Sequence, residues 1–313
     1  MIKVTIIVPV YNVEAYLDKC LNTLVNQTLK EIQVIVVNDG SKDDSYKIIE
    51  NYAEEFNDKI VYIKKENGGL SDARNAGLPY ATGDYIGFVD GDDYVDITMF
   101  EKMYTAAKRG NADIVECDYY KVYNKKLKPK IGKIYEIKDM MVKARVCAWN
   151  RIVKREIIMN NGILFPKGLQ YEDNEYLYKL IPHISKIEFI KEPLYYYVQR
   201  DNSICQTFDG RVTDIYQVMD NVFEYYKKND LYNKYKDQLE YITAKKYLSS
   251  SFFRIVRINN KEIRKKILSE NWERLLNIFP LWNKNLILKN SSSLLDIFVK
   301  SQNRFTYIVY TKL

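Results

Sequence analysis

The stretch Tyr85-Ile86-Gly87-Phe88-Val89-Asp90-Gly91-Asp92-Asp93 is a short apolar run closed by three carboxylates. A run this short and this apolar reads as a strand buried on both faces, and the acids mark its carboxyl end. The same arrangement recurs upstream. Lys3–Tyr11, Ile32–Asn38 and Lys59–Lys65 are β-branched runs, followed in turn by Asn12, by Asp39 and by Asn67-Gly68-Gly69. Between them, Glu14–Gln27, Asp44–Phe56 and Ser71–Ala81 carry apolar residues at helical spacing, as in Leu17, Leu21, Leu24 and Val25. Alternating strands and helices predict a mostly parallel sheet covered on both faces, an α/β architecture. In such a sheet a ligand site lies beyond the carboxyl ends of the strands, where the polar residues are concentrated.

Downstream, Asp113–Val122 reads as a further strand, Glu172–Ile181 as a helix and Lys186–Val198 as one or two strands. After about Thr207 the pattern is helical through Phe279, with Tyr216, Met219, Phe223 and Tyr226 on one face. At 313 residues, 47% hydrophobic and 28% charged, the chain is long enough for one full domain and a substantial extension. Its net charge of +7 is uneven: residues 231–313 hold 16 Lys/Arg against 6 Asp/Glu, which leaves residues 1–230 at −3. Aromatics and leucines, among them Trp272, Leu275, Leu276, Phe279 and Trp282, interleave with these charges. That pattern predicts an anionic membrane surface or a partner protein rather than nucleic acid, for which no motif is present. Met1, Ile2 and Lys3 run straight into a strand without the apolar region of a secretory signal, and no apolar run reaches the ~18 residues of a span. The expected location is cytoplasmic or peripheral at the inner face of the plasma membrane. Cys20, Cys117, Cys147 and Cys205 show no metal-ligand spacing and read as reduced thiols, while the lone His183 reads as structural.

Five clusters carry chemistry. Asp90 and Asp92, separated by one small residue, can project hard oxygen ligands at one Mg2+ or Mn2+; the alternative is a solvated acidic turn. Asp39, at a strand end, can accept from a base N–H or a ribose hydroxyl, or it can form a turn in which Ser41 caps the next helix. Gly68 and Gly69 let backbone approach a ligand, and Arg74 adds a positive fork near a helix N-terminus, although Ser71 there can be a simple cap. Glu172 and Asp173 open a helix, either as complements of its dipole or with one of them as general base. Arg200, after the aromatic run Tyr195-Tyr196-Tyr197, can hold a diphosphate bidentately or be a surface arginine.

Taken in order, Val8-Pro9-Val10-Tyr11-Asn12, Asn38-Asp39-Gly40-Ser41, Asn67-Gly68-Gly69 with Ala73-Arg74-Asn75, Asp90-Gly91-Asp92-Asp93, Trp149-Asn150, Glu172-Asp173 and Arg200-Asp201-Asn202-Ser203 closely resemble family 2 of the inverting glycosyltransferases. The resemblance covers roughly residues 3–205. It implies a GT-A-like, Rossmann-type αβα sandwich over residues 1–206, with a nucleotide-sugar half of about 1–95 and an acceptor half of about 96–206, followed by a helical extension over 207–313. It also implies a metal-dependent enzyme that moves one hexose-type sugar from a nucleotide diphosphate, most often UDP, to a hydroxyl of a glycan in surface polysaccharide synthesis, and the basic tail favours a lipid-linked acceptor. Pro9, Tyr11, Asn12, Glu14, Asp39, Asn67, Gly68, Asp72, Arg74, Asp90, Gly91, Arg200 and Ser203 would bind the donor. Asp92, with Asp90, would hold Mn2+ or Mg2+; Trp149 and Asn150 would lie on the acceptor side; Asp173 would be the base, with Glu172 positioning the acceptor or the helix. Gly91 departs from the family's usual Ser or Ala and is expected to loosen the turn.

Two other acceptor or class readings remain at this point: extension of a protein-linked glycan, and a catalytically silent nucleotide-sugar-binding scaffold. A sugar nucleotidyltransferase would need a Gly-rich loop directly after the first strand, and Pro9-Val10-Tyr11-Asn12 has no glycine. Oligomeric state is left open by the sequence.

Overall fold

The computed structural model describes residues 1–124, 126–200 and 210–307. The chain forms two compact units, Met1–Gly168 with Glu172–Ser203, and Leu169–Tyr171 with Ile204–Leu313.

In the first unit β1 (Val4–Val10), β2 (Ile32–Asn38), β3 (Ile60–Lys64) and β4 (Tyr85–Phe88) pair in parallel in the order β3-β2-β1-β4. Every residue of β1 is buried, as a strand covered on both faces requires. Val4, Ile6, Val8 and Val10 pack into one core with Leu17, Leu21 and Leu24 of α1 (Glu14–Val25). Ile7 points the other way, to Gly77 of α3 (Leu70–Gly77), where a Cβ would come within 2.8 Å of its side chain. Helix α2 (Ser45–Glu55) precedes β3, and α3 gives way at Leu78 to a 3-10 turn. The turn replaces the last part of the helix expected over Ser71–Ala81 because Pro79 has no amide to donate.

Across β4 the sheet becomes mixed. β5 (Tyr94–Val95), α4 (Met99–Gly110), β6 (Ile114–Tyr123), β7 (Lys126–Lys130), α5 (Met140–Lys143), β8 (Arg151–Lys154), α6 (Arg155–Asn160), α7 (Glu172–Leu180) and β9 (Ile187–Val198) complete the unit. β8 inserts antiparallel between β4 and β6, and β9 pairs in parallel with β6, giving nine strands in all among the described residues. β5, α4, β7, α5, β8 and α6 have no counterpart in the sequence expectation. Five of these are too short to announce themselves, whereas α4 carries Met99, Phe100, Met103, Ala106 and Ala107 at a helical spacing as legible as that of α1.

The second unit is helical: α8 (Asp214–Lys228), α9 (Tyr232–Lys245), α10 (Phe252–Ile255), α11 (Lys261–Ile278), α12 (Leu286–Asn290) and α13 (Leu294–Ser301). Ile215, Val218, Met219, Val222, Phe223 and Tyr226 form the buried stripe of α8. Asn260, Asn285 and Ser293 cap α11, α12 and α13, accepting from Ile263, Leu288 and Asp296 amides at 3.0, 3.1 and 3.2 Å. Leu169–Tyr171, placed by the sequence in the first domain, belong to this unit for a specific reason. The Gln170 amide donates to Asp214 at 2.9 Å, its side-chain carbonyl accepts from Arg254 at 3.2 Å, and the Arg254 guanidinium lies 4.9 Å from the centre of the Tyr171 ring. No helix among the described residues is long and apolar enough to cross a membrane. Cys20, Cys117 and Cys147 are free thiols; Cys205 lies outside the described residues.

Candidate active site

Because β1 to β4 run in parallel, their carboxyl ends meet at one edge, and the chain segments that follow them gather there. Asn12 leaves β1 with φ +51°, and its side-chain carbonyl accepts from the Lys42 amide at 2.8 Å. Glu14 accepts from the Asp44 amide at 2.7 Å, and Asp43 returns the contact by accepting from the Glu14 amide at 3.0 Å. Both side chains are exposed, as is Tyr11, whereas Pro9 is buried within β1. Ser41 does not cap α2: its hydroxyl accepts from the Asn12 amide at 3.2 Å and the helix starts four residues later.

Asp39 is 2% exposed and saturated. One carboxylate oxygen accepts from the Gly68 amide at 2.9 Å and from Lys65 at 2.5 Å; the other accepts from the Gly69 amide at 2.7 Å and Asn67 Nδ2 at 3.2 Å. The backbone amides read as ligand donors are therefore turned to Asp39. Lys65 also reaches Asp72 at 2.6 Å, and Lys167 holds the second oxygen of Asp72. Ser71 lies inside the first turn of α3, so Gly69 rather than Ser71 takes the N-cap position. Gly69 has φ +87° and ψ 170°, a region essentially confined to glycine. A Cβ there meets nothing within 4 Å, so Gly69→Ala should cost about 1–3 kcal/mol through backbone strain alone, read as a lowered denaturation midpoint.

The centre of the arrangement is Arg74, whose side chain is 1% exposed. One terminal nitrogen donates to Asp90 at 2.8 Å; the other donates to Asp173 at 2.9 Å and Glu172 at 3.2 Å. The guanidinium lies 5.0 Å from the centre of the Phe165 ring, which stacks on Tyr176 of α7. The Asn75 side-chain amide pins the Phe165 backbone, donating to its carbonyl at 2.8 Å and accepting from its amide at 2.9 Å. The expectation that Arg74 offers its fork to the donor is corrected here: three carboxylates take it from inside the protein.

Glu172 and Asp173 keep 17% and 19% of their side chains exposed. Burial raises both acids above the usual carboxylate range. For Glu172 the neighbouring Asp173 charge adds to the rise and Arg74 opposes it; for Asp173 Arg74 is the main opposition. Asp173 also accepts from the Ala148 amide at 3.3 Å.

The acid turn is held from below. Tyr195 donates its hydroxyl to Asp93 at 2.6 Å and accepts from the Asp90 amide at 3.2 Å, while the Val198 amide donates to the other Asp93 oxygen at 2.7 Å. Asp93 is thus a 1% exposed anchor, not a ligand-facing acid. Gly91 packs closely: a Cβ there would lie 3.0 Å from the Pro9 carbonyl and 3.3 Å from Val10 and Val13. The absent side chain relieves a tight contact, where the sequence predicted a loosened turn. Asp92 pairs with Arg200, whose guanidinium lies 5.6 Å from the centre of the Tyr16 ring. Ser203 lies outside the described residues.

Residues 5–162 match the family model described as glycosyl transferase family 2. The chain belongs to glycosyl transferase family 2. It is 34% identical over 218 residues to the uncharacterized glycosyltransferase EpsJ of Bacillus subtilis, covering 65% of this chain and 63% of that protein. It is 34% identical over 224 residues to glycosyltransferase GlyA of Streptococcus pneumoniae, covering 66% of this chain and 32% of that protein. The aligned region thus spans less than two thirds of either relative. In fold, it is similar to the Staphylococcus aureus TarS 1–349 structure in complex with UDP-GlcNAc: TM-score 0.79, 21% identity, 99% of this chain and 91% of that one. The architecture is the GT-A-like α/β fold with a helical C-terminal region.

For this family 2 chain the acceptor-side expectation divides. Trp149 stacks on Tyr195 with ring centres 4.3 Å apart and is 8% exposed. Asn150 is fully buried, donating to the Cys117 carbonyl at 3.0 Å and accepting from Arg151 and Cys147, so its side chain faces internal partners and not an acceptor at the surface. Tyr195, Phe165 and Lys65 were not anticipated. Tyr and Phe in apolar runs, and Lys at a strand end, carry no local signal that separates a site support from a core or surface residue.

Among the described residues, no group of three or more Asp, Glu, His or Cys side chains is arranged to hold a metal ion. Asp90 and Asp92, each paired with an arginine, Arg74 and Arg200, are the carboxylates that could supply hard oxygen ligands to a divalent cation taking its remaining ligands from phosphate and water. Burial and then the Asp90 charge raise Asp92, and Arg200 only partly offsets them. A shared cation would relieve that repulsion.

Proposed function

We propose that this chain is an inverting glycosyltransferase that moves a single hexose-type sugar from a UDP-sugar to a hydroxyl of a glycan acceptor. The supporting observation is Arg74, which ties Asp90 of the acid turn to Glu172 and Asp173, residues 98 and 99 positions away in sequence. A proton acceptor is thereby held beside the acids suited to a diphosphate-bound metal. Asp173 takes the proton of the acceptor hydroxyl as that oxygen bonds to the anomeric carbon. The bond from that carbon to the diphosphate oxygen breaks, the diphosphate leaves with its electron pair, and configuration inverts. Arg74 fixes the orientation of Asp173, and the Asp90 charge adds to the rise in its basicity that burial produces. Asp92 and Asp90 would hold Mn2+ or Mg2+, whose chemistry is to neutralise the leaving diphosphate. Arg200, paired with Asp92, would take phosphate oxygens. A base or ribose contact to Asp39 requires exchange of one of its present partners, and Lys65, shared with Asp72, is the side chain free to move between them.

Similarity to a minor teichoic acid biosynthesis protein of Bacillus subtilis and to the poly(ribitol-phosphate) beta-N-acetylglucosaminyltransferase TarS of Staphylococcus aureus supports a surface polymer as the setting, and a lipid-linked glycan is the acceptor we favour. A thermal-shift panel of UDP, GDP, dTDP and CMP sugars with and without Mn2+ tests the donor. A ligand at ~100 times its dissociation constant stabilises by ~2.7 kcal/mol, and a UDP-sugar is expected to give that shift. No shift with any nucleotide sugar would overturn the reading. Asp92→Ala should abolish the Mn2+-dependent part of UDP affinity in calorimetry; an unchanged metal response would move the metal elsewhere.

A further inference from the structure

The sequence points to Trp272, Leu275, Phe279 and Trp282 as the apolar part of a basic surface, but these are 9%, 0%, 3% and 3% exposed and form the core of the helical unit. A different set faces water. Leu281, Leu286, Leu294, Ile297 and Phe305 are 56%, 66%, 85%, 50% and 76% exposed. Single exposed apolar residues are ordinary on any protein, but six within one short segment, Leu295 at 48% included, are not. Leu294 and Ile297 share a helix face three residues apart, while Asp296 and Val299 form the buried side of α13. Lys300 Nζ donates to the Lys289 and Ser291 carbonyls at 2.9 and 2.6 Å, tying α13 to the end of α12. Phe298 stacks on Phe253, itself 41% exposed, and extends the apolar area.

Charge indicates what this face meets. Over residues 281–307 the cations Lys284, Lys289, Lys300 and Arg304 are all exposed. The segment's single carboxylate, Asp296, is 1% exposed and engaged by Tyr241, Lys245, Ser291 and Ser293. The segment therefore presents apolar and positive groups to water with no exposed carboxylate among them.

We propose that α12, α13 and the residues up to Tyr307 form a docking face for an anionic lipid bilayer, with the apolar side chains entering the acyl boundary and the four cations meeting headgroups. Short amphipathic helices flanked by Lys and Arg bind lipid interfaces in this manner, lying on the membrane instead of crossing it. A second copy of the chain is a poorer occupant, because a two-fold contact would set the same four cations against themselves. The inference does not rest on the transfer reaction, since none of these residues belongs to the acid site.

The test is sedimentation of the full chain with vesicles of phosphatidylcholine alone or of phosphatidylcholine mixed with phosphatidylglycerol. At low salt, binding to the mixed vesicles should exceed binding to neutral ones by about tenfold or more, and salt should erode the difference. The variant L294S/I297S/F305S should lower binding to mixed vesicles by about tenfold while its melting temperature and nucleotide binding stay those of the parent. K284E/K289E/R304E should remove the preference for phosphatidylglycerol. Equal binding to both vesicles, or parental binding by the serine variant, overturns the proposal. So does light scattering that shows a dimer made monomeric by the serine changes without any lipid preference, which would assign the face to a second copy.

Discussion

Asp173→Asn is expected to lower sugar transfer by a factor on the order of 10² to 10⁴, the usual contribution of a positioned acid or base, while affinity for the nucleotide sugar stays near that of the parent. The amide keeps the shape of the carboxylate and can still accept from Arg74, which holds Asp173 at 2.9 Å. It cannot take a proton. The hydrogen bond from the Ala148 amide, at 3.3 Å, is long enough that its loss should matter little. Because burial raises Asp173, the acid limb of kcat/KM should lie above the ordinary aspartate range: as pH falls through the raised value the base is protonated and transfer is lost. Asp90, and not Glu172, is the charge that adds to the rise of Asp173, so Glu172→Gln should leave that limb near its parental position and cost less rate than Asp173→Asn. Steady-state pH profiles of the three proteins check this. Near-normal transfer by Asp173→Asn at saturating acceptor would place the base elsewhere, and loss of donor affinity as severe as in Asp92→Ala would make Asp173 part of the donor site.

Arg74→Met should be the most destabilising single change in the first unit. It keeps side-chain volume but leaves Asp90, Glu172 and Asp173 facing one another without their shared cation. Removing one partner from a buried ionic cluster costs on the order of 3–5 kcal/mol, which corresponds to a fall in melting temperature on the order of 10 °C. The pH dependence carries the sign. Arg74 lowers the pKa of Glu172 and of Asp173, so without it both rise further. A carboxylate raised in the folded state penalises folding above that raised value and ceases to do so once protonated. The deficit of the variant should therefore be largest near neutral pH and shrink on acidification. Arg74→Lys should recover only part of it, because a single ammonium cannot serve Asp90 on one nitrogen and the other two acids on another. Thermal melts across the acid range measure both effects; a deficit that grows on acidification would show that the acids are not what Arg74 holds.

The sequence by itself determined the parallel half of the fold and its acid turn. Val4–Val10 and Ile32–Asn38 are so uniformly β-branched that only a strand buried on both faces suits them, and the helical spacing of Leu17, Leu21 and Leu24 places α1 between them. Polar residues directly after each strand then mark the ligand edge, since the carboxyl ends of parallel strands share one side. Local pattern also marked Glu172 and Asp173 as the head of a helix. What it could not supply was partnership. That Arg74 serves three internal carboxylates, that Asp39 takes the amides of Gly68 and Gly69, that Asn150 is wholly buried, and that Tyr195 supports Asp93 are consequences of residues 16 to 105 positions apart meeting in space. A guanidinium or a carboxylate reads the same in sequence whether a ligand or a neighbour satisfies it. The same limit governed the helical unit: charge and aromatic content showed a basic, apolar segment, but only packing decided that Trp272 and Trp282 turn inward and Leu294 and Phe305 outward. Helical periodicity names a face, and the contacts made by that face decide whether it is core or surface.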